Sequence, residues 1–112
     1  LKEAKFLKPA LELFVHALPV TYQPIEAEVG TLVKLVISGT GGGEWHLVRE
    51  SEKWSLYRQT DLTPTCTITM DDDTAWRLFT KGISREQAAV HTLFVGDSSL
   101  GQHLLNTVSI IA

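Results

Sequence analysis

The sequence is poor in the residues that several common functions require. Its single cysteine, Cys66, has no partner for an internal disulfide, which fits a reducing, cytoplasmic compartment. Basic residues are in deficit: ten Lys and Arg face thirteen Asp and Glu, for a net charge of −3. They are also scattered, so no basic stripe is available and a general nucleic-acid binder is excluded. No apolar run approaches the roughly 18–20 residues that cross a bilayer, so no membrane span is expected. The opening LKEAKFLKPALELF is amphipathic, not a charged stub followed by an apolar block, and does not read as a signal peptide. Histidines are few and dispersed. None of His16, His46, His91 and His103 has another at i+3 or i+4, and no Cys–His cluster exists, so this chain alone offers no metal-binding spacing.

Glycine is the residue in local excess, with four in the five positions 39–43 of GTGGGEW. Both a dinucleotide fingerprint and a phosphate-binding P-loop starting at Gly39 need glycine at position 44, which is Glu44. Both also need a helix after the glycines, because its N-terminus holds the phosphate. The next residues, EWHLVRE, alternate like a strand, and Glu44 would repel a phosphate. The stretch reads as a glycine-rich turn between strands.

The 112 residues suit one domain with one core. Leu7, Leu11, Phe14, Val15 and Leu18 fall on one helical face, with Pro9 placing the start of the regular helix near Lys8 and Pro19 ending it. TYQPIEAEVG reads as a linker. TLVKLVIS (31–38) is apolar on both faces, as a central or covered strand is. EWHLVRE and KWSLYRQ alternate and are joined by Ser51-Glu52, as in a hairpin. In TCTITM, Cys66, Ile68 and Met70 oppose three threonines. These four strands predict an antiparallel meander. Asp71–Asp73 then cap a helix carrying Trp76 and Phe79, with Gly82 at its end. Ser84 and Gln87 form a capping box. HTLFVG predicts a fifth strand, and Asp97 caps a last helix with Leu100, Leu104, Leu105, Val108 and Ile111 on one face. The class is α+β: an antiparallel or mixed five-stranded sheet with helices packed on one face. The boundaries are a leading helix over 1–19, a linker over 20–30 and the sheet-and-helix core over 31–112.

Three groups of residues carry the functional alternatives. Trp45, Trp54, Trp76, Met70, Phe79 and Phe94 either fill the core or line an apolar cavity between sheet and helices. For such a cavity the candidate lining is Leu35, Trp54, Met70, Phe79 and Leu104. Arg49 and Arg58 each follow an apolar residue by two on a strand. Each is either a snorkelling stem or an anion clamp. Arg77 and Arg85 sit on or beside the later helices. Cys66 reads as a buried core residue and the Asp triplet as a helix cap.

The order of these features resembles a known family. FLKPALELFVHALP, then GTLVKLVISG, GGGEWHL, KWSLYRQ, the strand-Asp-helix segment CTITMDDDTAWRLFTKGIS, and HTLFVGDSSLGQHLLN together resemble the C-terminal domain of mycothiol-dependent maleylpyruvate isomerase-type proteins. That domain is similar in fold to sterol carrier protein 2 (SCP2). The resemblance covers nearly the whole chain. It implies a bacterial accessory domain without catalysis of its own, following a DinB-like helical bundle that holds a divalent metal and works with a low-molecular-weight thiol. It implies no metal or cofactor in this domain. An arginine of the family's domain aids its active site, and Arg49 and Arg85 are the candidates here. The rival readings are a small carrier for a lipid or sterol-like molecule and a homodimerisation module. The accessory reading expects an exposed apolar patch for the upstream domain, placed at Phe6 and Phe14.

Overall fold

The computed structural model describes residues 4–40, 42–79 and 83–106. Five strands form one mixed sheet in the order β3–β2–β1–β4–β5. β1 (Leu32–Ser38), β2 (Gly43–Arg49) and β3 (Trp54–Tyr57) are consecutive antiparallel neighbours, with Leu35 opposite Trp45 and Leu47 opposite Leu56. Gly39, at φ +106°, turns β1 into β2; an added Cβ there would collide with the Asp72 carboxylate. The glycine-rich stretch is therefore a strand-to-strand turn.

The expected four-strand meander is corrected at β4 (Cys66–Asp71). This strand does not continue from β3 but lies parallel to β1 on its other edge, with Val33 opposite Cys66 and Ile37 opposite Met70. The reason lies in β1: Leu32, Val33, Leu35 and Ile37 are all buried, as in a central strand, and with β2 on one edge the other edge would be left unpaired without β4. β5 (Leu93–Gly96) closes the sheet as an antiparallel edge strand on β4.

Helices cover one face. α1 (Ala4–His16) runs through Pro9, so the helix begins earlier than Lys8 at the cost of one backbone bond. Pro19 does more than end it. It opens a second short helix, α2 (Leu18–Tyr22), because proline fits a first turn, and α2 extends into the segment expected to be linker. α3 (Asp72–Phe79) starts on Asp71, whose Oδ1 accepts from the Thr74 N–H at 2.7 Å. α4 (Arg85–Val90) carries the full Ser84–Gln87 capping box. α5 (Ser98–Gln102) is capped by Asp97 and runs into a 3-10 turn, His103–Asn106. Gly82, Val108 and Ile111 lie outside the described residues.

The core sits between these helices and the inner sheet face. Leu11, Phe14, Val15 and Leu18 come down from α1 and α2 onto the same cluster as Leu35, Leu47 and Ile68. Phe14 is fully buried, so the patch expected there is not exposed; the Phe6 side chain lies outside the described residues. Trp76 is also corrected. It is 36% exposed, because α3 turns Ala75 and Leu78 inward instead. The outer sheet face carries polar side chains, including a Lys34–Glu44 pair at 3.4 Å and a Glu50 carboxylate that accepts from Ser55 and Tyr57.

Candidate functional site

Strand alternation puts every second side chain under the helices. One row across the sheet reads Leu56, Leu47, Val33, Cys66, and the next reads Trp45, Leu35, Ile68, Phe94. Of the candidate cavity residues, Leu35, Trp54 and Met70 belong to this floor, and Leu104 descends from the 3-10 turn above it. All four are buried in one cluster. Phe79 ends α3, and its side chain lies outside the described residues.

The arginines are dispersed. Arg49, at the end of β2, is half-buried and its Nε has no hydrogen-bond partner. Arg58 pairs with Glu12 at 2.8 Å and ties the end of β3 to α1. Arg77 pairs with Asp73 one turn back, also at 2.8 Å. Arg85 is exposed at the start of α4.

The roof is stitched by side-chain hydrogen bonds, and Tyr22, which makes the most buried of them, is the residue that the sequence did not single out. Tyr22 is fully buried in α2, and its hydroxyl donates to the Leu100 carbonyl at 2.8 Å. His103 Nε2 bonds the Thr21 carbonyl at 2.7 Å, with its ring edge-on to Tyr22 at 5.0 Å. Trp54 Nε1 donates to the Ile25 carbonyl at 3.0 Å. One signal was available: Tyr22 lies four residues after Leu18, on the same face of a helix begun by Pro19. α5 meets the floor through Gly101, where an added Cβ would sit 2.6 Å from Cys66 Sγ and 2.8 Å from Phe94 Cδ1.

Titration follows burial. Burial pushes the Tyr22 hydroxyl well above the usual tyrosine range, with the Cys66 charge adding to it and a backbone hydrogen bond opposing it. Burial likewise pushes the Cys66 thiol up, helped by the Asp97 charge, so Cys66 is a neutral packing group and not a thiolate nucleophile. Because the folded state holds the Tyr22 proton more tightly than the unfolded chain, that stabilisation is complete below the ordinary value of 10.0 and is lost as pH rises beyond it. Chemical denaturation across this range should show stability declining above pH 9 as Cys66 and then Tyr22 titrate. Tyr22→Phe should flatten the steeper part of that decline. At neutral pH it should cost about 1–2 kcal/mol, because the Leu100 carbonyl loses its tyrosine donor.

Among the described residues, clefts open along the rim of the apolar layer at both ends of the sheet. One, of about 410 Å3, lies between α3 and α4 and includes Asp73, Thr74, Arg77, Gln87 and His91. A second, of about 420 Å3, adjoins it through Asp71, Val90 and His91 and reaches Ser38 and Leu93. The third, of about 370 Å3, is at the opposite end of the sheet, between Ile25–Ala27 and the start of α5. Neither Arg49 nor Arg85 lines any of the three. Among the described residues, no three His, Cys, Asp or Glu side chains come together as metal ligands. No described helix is long and apolar enough to cross a membrane.

This arrangement of sheet and helices recurs in solved structures. A UbiJ-SCP2 ubiquinone synthesis protein superposes with a TM-score of 0.55 at 14% identity, over 93% of this chain and 90% of that one. Sterol carrier protein 2 like 2 from Aedes aegypti superposes with a TM-score of 0.56 at 15% identity, over 87% of this chain and 94% of that one. The fold is thus the α+β, SCP2-like fold, with a mixed five-stranded sheet. No protein-family model and no curated protein matches the sequence.

Proposed function

We propose that this domain holds an apolar small molecule between its helical roof and the inner face of its sheet. The observation that carries this reading is the construction of the roof. The floor is a continuous sheet, whereas the roof over Trp54 and Cys66 consists of two five-residue helices and a 3-10 turn that brings Leu104 down onto them. Helices this short have little stability of their own and depend on packing and on a few side-chain bonds. They can part locally while the sheet stays intact. Leu35, Trp54, Met70 and Leu104 then become the lining of the opened layer. Of the two SCP2-fold proteins, one is named for sterol carriage and the other for ubiquinone synthesis, and both names concern apolar molecules.

A second reading keeps the resemblance to the maleylpyruvate isomerase-type family. In it, the domain closes a substrate pocket for an upstream, metal-holding bundle that uses a thiol. The observation favouring it is an apolar strip on α4 and the edge strand, where Val90, Leu93 and Val95 are 80%, 61% and 57% exposed. Such a strip suits a face against another domain.

Native mass spectrometry of the purified domain, followed by titration with a pyrene-labelled long-chain alcohol, tests the first reading. A retained lipid-like adduct, or saturable one-to-one binding with energy transfer from tryptophan, is the expected result. Non-saturable partitioning with no adduct would leave the accessory reading standing alone.

A further inference from the structure

The cleft of about 370 Å3 is built where the chain stitches its roof to its floor. Thr31 and Thr65 precede β1 and β4 side by side, with the Thr65 N–H bonded to the Leu32 carbonyl at 2.8 Å. Gly96, at φ +93°, turns the chain so that the Asp97 N–H meets the Thr65 carbonyl at 3.0 Å, and α5 starts there. The apolar walls are Ile25 and Ala27 on one side and Leu100 on the other, all partly buried against the core cluster. The backbone carbonyls of Ile25 and Leu100 are the two that accept from Trp54 Nε1 and the Tyr22 hydroxyl. Parting these walls therefore breaks the stitches and leads onto Tyr22, Trp54 and Leu104.

The rim of this cleft has one sign of charge. Glu26 and Asp97 supply carboxylates, and Thr31, Thr65 and Ser99 supply hydroxyls. Among the described residues, no lysine, arginine or histidine lines it, and Arg49, whose backbone N–H bonds the Thr31 carbonyl, is not among its walls. Carboxylates accept hydrogen bonds from a hydroxyl or ammonium group and repel another carboxylate.

Resting on the carrier reading, we infer that this cleft is the mouth of the ligand layer, and that it admits long apolar molecules ending in a hydrogen-bond donor while rejecting fatty-acid-type anions. The preference runs against the anion contact expected of Arg49 and Arg85.

The test titrates the intact domain, at neutral pH and low salt, with a pyrene-labelled long-chain alcohol and the carboxylate of equal length. The alcohol should bind about tenfold more tightly. Glu26→Gln with Asp97→Asn preserves side-chain shape and the helix cap, since Asn caps as well as Asp. It should narrow the gap to about twofold by strengthening the acid alone. Ala27→Lys, which sets a cation in the mouth, should reverse the preference. Equal binding of both probes by the parent domain, or a gap that these variants leave unchanged, would overturn the placement of the mouth while sparing the carrier reading. Failure of both probes to bind would overturn the carrier reading itself, and the mouth with it.

Discussion

Gly101→Val should destabilise the fold by about 3 kcal/mol, near the upper end of overpacking penalties, and the denaturant midpoint should fall accordingly. Here the α5 backbone rests directly on the sheet. The nearest obstacles to a Cβ are Cys66 Sγ at 2.6 Å, Phe94 Cδ1 at 2.8 Å and Ile68 Cγ1 at 3.2 Å, all in the buried layer. None is the end of a long flexible chain that could swing into solvent, so α5 itself must lift. Lifting it also moves Leu100, the acceptor for the Tyr22 hydroxyl. Gly101→Ala should cost less. Adding Cys66→Ala to it should recover part of the loss, because the closest obstacle is then gone. A double-mutant cycle reads this coupling as a departure from additivity.

Leu35→Ala is the other large effect, about 2–5 kcal/mol in equilibrium unfolding. Leu35 lies on the central strand with Trp45 on one side and Ile68 on the other, and is 1% exposed. Rigid strands flank the site, so it cannot collapse onto the missing atoms. Lys34→Ala, one residue away but on the outer face, should change stability by no more than about 0.5 kcal/mol, since its exposed pair with Glu44 contributes little. The contrast between adjacent positions tests which face of β1 carries the helices.

The sequence made its local features readable because they depend on near neighbours. Alternation alone placed Cys66, Ile68 and Met70 on one side, and all three are buried. Ser84 with Gln87, and Asp97 before α5, announced their caps through side chains that reach only three residues. The features that stayed hidden depend on partners distant in the chain. Nothing in TCTITM states that its neighbour is β1 and not β3, because strand choice is set by which edge remains uncovered. Tyr22 sits in a stretch punctuated by Pro19 and Pro24 and looked like linker, yet its hydroxyl finds Leu100, 78 residues away. Trp76 misled for the opposite reason: a tryptophan on a helix reads as core, but α3 has smaller inward residues. Of the candidate site, the apolar floor was legible, and the clefts along its rim were not.

The parallel pairing of β1 with β4 also has a consequence for how the chain assembles. β1 is central in the finished sheet but is the first strand to be made, and its second neighbour begins only at Cys66. During synthesis β1, β2 and β3 can form at once through local turns, leaving one long edge of β1 unpaired with its apolar inner face not yet covered. Nascent chains in that interval offer the kind of open strand edge that captures other chains. Closing it requires the 58–65 connection to travel back along the sheet and cross two strands, a non-local step slower than any hairpin. The time before β4 docks is therefore when this small domain is most exposed to self-association.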